Sequence, residues 1–178
     1  MTWFNRRLRR ALREEDGVAS IEFVFAVPIL VAIFMASFES GLFMTRSIML
    51  EQSLDMVMRE LRLGHYVNPT AASLKTEICK RTIVLTNCEA SLSIDLQKIS
   101  MTDFALPTTA AGCVDRNTNI APATKLQVGQ QNDLILLRAC IVADAMFPTT
   151  GIGLNLTRTG QGGGYEIIAV SAFANEPN

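Results

Sequence analysis

A polar arm at the start of the chain gives way abruptly to an apolar stretch. Residues 18–38 contain one charged side chain, Glu22, among 21 positions. A helix rises about 1.5 Å per residue, so this stretch reaches roughly 30 Å, the hydrocarbon thickness of a bilayer. The pattern predicts a transmembrane helix over residues 18–38, and we expect Pro28 to kink it modestly, since neighbouring helices in a membrane can accommodate the lost hydrogen bond.

The helical pattern continues beyond this span, over residues 39–64. Apolar residues recur there at three- and four-residue steps, as in an amphipathic helix lying on a core. They are Leu42, Phe43, Ile48, Met49, Leu54, Val57, Met58 and Leu61. Gly64 is expected to end the helix, because Asn68 and Pro69 prevent a smooth continuation.

The rest of the chain predicts one short helix and a small sheet. Residues 71–85 are expected to be helical, with Thr70 as N-cap. Residues 90–97 alternate between apolar and polar, as in a half-buried strand, and residues 133–143 and 165–174 are apolar enough for two more strands. Residues 147–164 are predicted to be a loop. The turn-rich residues 102–131 are long for a connector, so we expect an extra short strand there or a tether at Cys113.

The predicted fold class is therefore α+β. A long N-terminal helix, part transmembrane and part amphipathic, packs on an antiparallel sheet of three or four strands, with one short second helix. We assign residues 1–17 to a basic leader, residues 18–38 to the span and residues 39–178 to an extracytoplasmic domain.

Charge near the span predicts its orientation. Five arginines precede it: Arg6, Arg7, Arg9, Arg10 and Arg13. No comparable cluster follows, so the positive-inside rule places the N-terminus in the cytoplasm and the C-terminal domain outside. A cleaved secretory signal is the competing interpretation, but its apolar core is usually shorter and ends at a small-residue cleavage site.

All four cysteines follow the span, in the part predicted to face an oxidising compartment. Four cysteines allow three disulfide connectivities. We favour Cys79–Cys88 with Cys113–Cys140, because the first two are close in sequence and flank one helix-to-strand turn. A metal site is the weaker alternative, since there is no C-x-x-C and the single histidine, His65, is remote in sequence from every cysteine.

The junction between arm and span carries a family resemblance. Gly17-Val18-Ala19-Ser20-Ile21-Glu22-Phe23 resembles the prepilin-type proteins of the tight-adherence (Tad/Flp) pilus. Val27-Pro28-Ile29-Leu30 resembles the Leu-Pro-Leu-Leu run of the TadE family, and Phe38-Glu39-Ser40-Gly41 resembles its Glu-Phe-Gly stretch with the order changed. The segment Asn175-Glu176-Pro177 resembles a TadE-like ending.

The resemblance implies a pilin-like fold and a minor pilin or pseudopilin of a bacterial inner membrane, serving adhesion and biofilm formation. A prepilin peptidase would cut between Gly17 and Val18, with Glu22 and Phe23 completing the motif. The implied partners are that peptidase, other Tad pilins and pseudopilins, and the Tad platform proteins. Glu14, Glu15 and Asp16 directly precede Gly17, and they either tune recognition by the peptidase or mean that the leader is kept.

Glu22 is the candidate assembly residue. An unpaired carboxylate in apolar surroundings protonates or finds a partner. The free amino group of Val18 on a neighbouring subunit would be such a partner and would fix subunit register. The alternative is that Glu22, only four residues inside the span, is solvated at the membrane interface.

Two further features of the long helix also have simpler interpretations. Ala32, Ala36 and Ser40 form a row of small residues four apart, which favours close approach of helices in lipid, although small residues are common in such helices. The methionines of the long helix are more typical of a core than of a binding surface.

No catalytic constellation, metal site or cofactor motif emerges, and we predict neither an enzyme nor a nucleic-acid partner. The glycine-rich residues 160–164 lack the Gly-Lys-Ser/Thr ending of a phosphate loop. The second functional hypothesis is a single-pass anchored binding domain that never enters a filament. It predicts that Glu22→Leu is tolerated.

Overall fold

The computed structural model describes residues 18–106, 112–116, 122, 126–127, 129–130, 132–149, 151–156 and 164–175. The elements run in the order α1 (Val18–Arg62), α2 (Ala71–Arg81), α3 (Cys88–Ser91), β1 (Leu92–Ile99), β2 (Leu134–Ala143), α4 (Gly151–Leu156) and β3 (Tyr165–Ala174). The three strands form one antiparallel sheet in the order β1-β2-β3. The α+β class and the long helix with a small antiparallel sheet are confirmed. We call the described residues from 39 onward the head.

The long helix α1 continues through Pro28 and ends at Arg62. Gly64 has a φ of 70°, in the left-handed region. Its N–H donates to the carbonyl of Leu61, and the N–H of His65 donates to that of Glu60, both at 3.1 Å. These two bonds are the Schellman pattern that a glycine just past a helix end permits, so the predicted stop at Gly64 is confirmed.

The outer part of α1 packs on the sheet along one stripe. Leu50, Leu54, Val57 and Leu61 are all buried there. They join a core that includes these buried side chains of α2 and the three strands: Leu74, Ile78, Leu92, Ile94, Leu96, Ile135, Leu137, Ile141, Tyr165 and Ile167. Burial of this apolar face holds the helix on the sheet.

Part of the predicted stripe was wrong. Phe43 packs against the core as predicted, but Ile48 is 52% exposed and Leu42 and Met49 are only partly buried. Two of the methionines expected in the core, Met44 and Met56, are exposed as well. The reason is geometric, because these side chains lie beside or opposite the buried stripe and the sheet covers one side of the helix only.

The second helix begins as predicted and ends earlier. The hydroxyl of Thr70 accepts the N–H of Ser73 at 3.1 Å, and the Ser73 hydroxyl accepts the Thr70 N–H at 3.0 Å, which closes a reciprocal cap. The predicted end at residue 85 was wrong, since α2 ends at Arg81. Thr82, Ile83 and Val84 are three β-branched residues in succession, which lowers helix propensity at this point.

Both predicted disulfides are present. Cys79 pairs with Cys88 at a Cα–Cα distance of 5.6 Å, and Cys113 pairs with Cys140 at 5.0 Å. No cysteine is free, so the alternative metal site lacks its thiolates. The first disulfide closes the turn between α2 and α3, and the second ties the segment around Cys113 to β2, as expected for the turn-rich region.

The first strand differs from its prediction in two ways. It begins at Leu92 and not at residue 90, because Ala90 and Ser91 belong to α3. It is also not half-buried, since Ser93 and Asp95 on its second face are 1% and 2% exposed. An isolated parallel bridge joins Leu96 at the edge of β1 to Leu126, so residues 102–131 contribute a single bridge there and not the extra short strand that was one of the two expectations. Much of that region lies outside the described residues.

The remaining strands agree closely with the prediction. β2 begins one residue later than expected, and β3 has the predicted bounds. The prediction of a loop over residues 147–164 was wrong in part, because it contains the short helix α4. Residues 160–163, including most of the glycine-rich run, lie outside the described part of the chain.

Candidate functional site

The apolar helix presents its first half to its surroundings. The most apolar window of α1 has none of its residues buried by the rest of the described chain. Phe23, Phe25 and Phe34 are each exposed by about two-thirds. So many large apolar side chains cannot remain in water without cost. This half of α1 is a candidate membrane anchor, and its surface is available to lipid or to another helix.

Glu22 is the one acid within this surface. It lies about one helical turn beyond Val18, the first residue that the structure describes, and it is exposed. Among the described residues, no hydrogen bond or ion pair is found for its carboxylate. Gly17 lies outside the described residues, and so does the side chain of Val18. The neighbouring Phe23 is 67% exposed.

The small residues of α1 share a helix face with Glu22. Ser40 lies five turns after Glu22 at 3.6 residues per turn, and Ala36 and Ala32 precede Ser40 by about one and two turns respectively. Ala32 is exposed, whereas Ala36 and Ser40 are partly covered. Ala32 is thus accessible to a second helix, whereas Ser40 lies within the head and is partly covered.

A buried carboxylate fixes the point where the helix meets the head. Glu39 is 0% exposed. Its Oε1 accepts the backbone N–H of Met146 at 3.2 Å, and its Oε2 accepts that of Phe147 at 2.9 Å. Hydrogen bonds from backbone N–H groups to a carboxylate are among the stronger ones in proteins. They tie the first turn of the helix beyond the span to the chain that precedes α4.

Phe38, the residue before Glu39, makes two aromatic contacts. The rings of Phe38 and Phe147 meet edge to face at 6.0 Å between centroids. Phe34 stacks on Phe38 at 6.5 Å, one turn deeper in the apolar helix. Gly153 of α4 lies so close to Phe147 that a Cβ built on it would be 2.1 Å from the Phe147 carbonyl oxygen. The contact between Phe38 and Phe147 and the close approach of Gly153 to Phe147 hold α4 against the helix.

A second, polar junction lies two turns further along α1. Nη1 of Arg46 donates hydrogen bonds to the backbone carbonyl of Asp144 at 2.8 Å and to the hydroxyl of Tyr165. The ring of Tyr165 packs edge to face on Phe43 at 5.5 Å. Arg116 pairs with the carboxylate of Asp144 and donates to the carbonyl of Val142 at 2.7 Å. Arginine side chains therefore connect α1, β2 and β3 at this level.

Next to this junction is a polar cavity of about 290 Å³. It is lined by Thr86, Asn87, Ala90, Ser91, Val114, Arg116 and Asp144. Its two charged side chains, Arg116 and Asp144, are already joined in an ion pair. The volume would hold a small polar molecule, but the cavity is separate from the apolar helix and from Glu39.

The sequence assigned no function to Glu39. The sequence did contain a signal for a buried acid. Glu39 lies three turns before Leu50 on the same helix face, so the face that packs on the sheet carries a carboxylate at the end nearest the span. Helical periodicity could therefore have indicated that Glu39 faces the sheet, although no such prediction was made from the sequence. It could not provide the two N–H groups, which come from residues more than one hundred positions later.

The sequence model of the family described as TadE-like protein matches residues 17–59. This segment is about a quarter of the chain and covers the span, the Glu39 junction and most of the helix that packs on the sheet. No curated protein and no solved structure matches the chain. The family resemblance is thus confirmed over residues 17–59, and the match is consistent with a TadE-like protein of the Tad pilus system.

Proposed function

We propose that this TadE-like chain acts as a minor pilin or pseudopilin in the assembly or priming of a Tad/Flp pilus. The proposal proceeds from the match of residues 17–59, which indicates a protein associated with the Tad pilus. In this proposal the protein sits in the bacterial inner membrane with its N-terminus in the cytoplasm and its head in the periplasm. It supports adhesion and biofilm formation through the pilus and catalyses no reaction.

The observation that carries the proposal is the exposed acid within the exposed apolar helix. Glu22 makes no contact with the head, which lies at the other end of the span. An ionised side chain in this position is costly unless it is paired or solvated. After cleavage behind Gly17 by a prepilin peptidase, the amino group of Val18 on a neighbouring subunit supplies the pairing charge. The pair then favours one axial register between subunits.

The experiment replaces Glu22 in the full chain. We expect Glu22→Leu to insert into the membrane normally, because the change makes the span more apolar, and to abolish or strongly reduce pilus formation. Glu22→Gln keeps the shape and removes the charge, so it should behave in the same way. Ile21→Leu is the matched control, since Ile21 is adjacent and exposed, and it should leave pili unchanged.

The Glu22→Leu variant separates this proposal from an anchored binding domain. If Glu22→Leu leaves pilus number and subunit association unchanged, the assembly role is wrong and the anchored-domain hypothesis stands. Intact mass of the protein recovered from membranes tests the processing step separately. Loss of residues 1–17 supports cleavage, and a full-length chain in cells that contain the peptidase contradicts it.

A further inference from the structure

An uncharged segment of the head lies beside the end of the apolar helix. Residues 145–156 contain no aspartate, glutamate, lysine, arginine or histidine. They include the loop after β2 and the helix α4. Two of their apolar side chains, Met146 and Leu154, are 59% and 61% exposed. Charged side chains are common on surfaces that face water, so the exposed apolar side chains of this uncharged segment need an explanation.

The structure fixes the level of this segment along the helix. Glu39 binds the N–H groups of Met146 and Phe147, and Phe38 contacts the ring of Phe147. Phe38 is also the last residue of the 21-residue apolar stretch. The segment is therefore held where the span leaves the hydrocarbon region, which is the depth of the headgroups.

Charge is distributed to match that position. Asp144 directly precedes the segment and pairs with Arg116, and its backbone carbonyl accepts a hydrogen bond from Arg46. Arg46 lies about 10 Å further along α1 than Glu39 at 1.5 Å per residue. Arg46, Arg116 and Asp144 thus lie further from the span than the Glu39 junction. Apolar and uncharged polar groups lie on the side toward the span, as at a membrane interface.

We propose that the surface formed by Phe38, Met146, Phe147 and Leu154, the lipid-facing surface, rests in the interfacial layer of the bilayer. The head is then held upright on the membrane by two contacts, the span and this surface. The occupant is the lipid itself, because Phe34, Phe38 and Phe147 make this surface continuous with the exposed apolar surface of α1. The proposal rests on the proposed membrane span, and its test is arranged so that the two can fail separately.

A competing apolar surface makes the proposal specific. Met44 and Ile48 are exposed on the side of α1 opposite the head. If the helix leaned toward that side, Ile48 would enter the bilayer and the head would be lifted away from it. Contact of lipid with Leu154 and contact with Ile48 therefore report opposite tilts.

The test measures the depth of single tryptophans in the full-length protein in vesicles. All variants carry Trp3→Phe, which removes the one native tryptophan. Leu154→Trp and Met146→Trp report on the lipid-facing surface, and Ile48→Trp reports on the opposite tilt. Leu30→Trp in the span is the positive control, and Val170→Trp on β3, 53% exposed, is the matched negative control.

The vesicles contain phosphatidylcholine with or without bromine on the acyl chains, which quenches nearby tryptophan. We expect Leu154→Trp and Met146→Trp to lose fluorescence in brominated vesicles and to emit at shorter wavelength, while Ile48→Trp and Val170→Trp remain unquenched. Met146 lies in the loop after β2 and Leu154 lies in α4, so the test remains valid if one of the two variants misfolds.

Three results would overturn the proposal: no quenching at either position, quenching at Ile48→Trp in their place, or equal quenching at Val170→Trp. Flotation of the same samples with the vesicles and quenching of Leu30→Trp report on the span independently. Failure of those two controls contradicts the membrane anchor itself. Their success with an unquenched head contradicts only the lipid-facing surface.

Discussion

Oε2 of Glu39 accepts the backbone N–H of Phe147 at 2.9 Å, across 108 positions of sequence. The other carboxylate oxygen binds the N–H of Met146. The side chain is fully buried, so these two bonds offset the desolvation of the carboxylate. The pair of residues joins the first turn of the helix that follows the span to the loop that leads into α4. It thereby sets the orientation of the head relative to the apolar helix.

We expect Glu39→Ala to destabilise the head by about 2–4 kcal/mol, because two partly buried N–H groups lose their carboxylate acceptor. Glu39→Gln keeps one acceptor oxygen and should cost less, about 1–2 kcal/mol. The measurement is urea unfolding of the detergent-solubilised protein, combined with hydrogen exchange at residues 144–149. Glu51→Gln is the control, since Glu51 is exposed on the same helix. Equal stability of the Glu39 and Glu51 variants would show that the bonds contribute nothing.

Two glycines of α4 provide a matched pair for testing its docking. A Cβ at Gly153 would lie 2.1 Å from the carbonyl oxygen of Phe147, whereas a Cβ at Gly151 meets nothing within 4 Å. Gly153→Ala should therefore cost about 1–3 kcal/mol through overpacking. Gly151→Ala should be neutral or slightly stabilising. Thermal unfolding followed by near-ultraviolet circular dichroism distinguishes them, and similar melting temperatures would refute the close packing.

The exposed end of the small-residue row tests helix association. Ala32 faces away from the rest of the described chain, so Ala32→Leu should leave head stability unchanged. If another helix packs there, the larger side chain separates the two backbones and weakens association several-fold. Cross-linking of subunits in membranes measures this effect. Val31→Leu, at the neighbouring exposed position, is the control. Unchanged cross-linking of Ala32→Leu would place the helix contact elsewhere.

The ion pair at the start of β2 predicts a pH dependence. Lys98 Nζ lies 2.6 Å from Asp133 Oδ1, and the N–H of Gln130 donates to Oδ2 at 2.8 Å. The hydrogen bond from Lys98, followed by that from Gln130, lowers the pKa of Asp133 below its ordinary value. A lowered pKa in the folded state stabilises the protein above the unfolded pKa, near 4, and this contribution is lost as pH falls through the folded value.

Asp133→Asn should therefore be less stable than the unchanged protein at neutral pH, and the difference should shrink as the pH falls below about 4. Lys98→Met removes the same partner from the other side and should give a similar profile. Urea midpoints measured across this pH range provide the check. A difference that is constant with pH would mean that Asp133 acts through packing and not through its charge.

Particular elements show why some predictions from sequence succeeded. The Thr70 cap and the Gly64 helix end depend on interactions between residues a few positions apart, and β3 coincides with a local apolar run of the sequence. The Cys79–Cys88 pairing was also local. The Cys113–Cys140 pairing was predicted only by elimination, once the first pair had been chosen. The prediction extended α2 to Leu85 because the apolar pattern continues that far. The helix ends at Arg81 because the next three residues are β-branched, which lowers helix propensity.

Sequence by itself determined the apolar span, the course of the long helix and the presence of a small antiparallel sheet, since these follow from local periodicity and from the cost of exposing apolar groups. Tertiary structure alone decided that Glu39 is buried and bonded, that Ser93 and Asp95 are covered, and that Ile48 is exposed. The environment of a side chain depends on which distant segment packs against it. That choice is made by the whole fold and is absent from any local pattern.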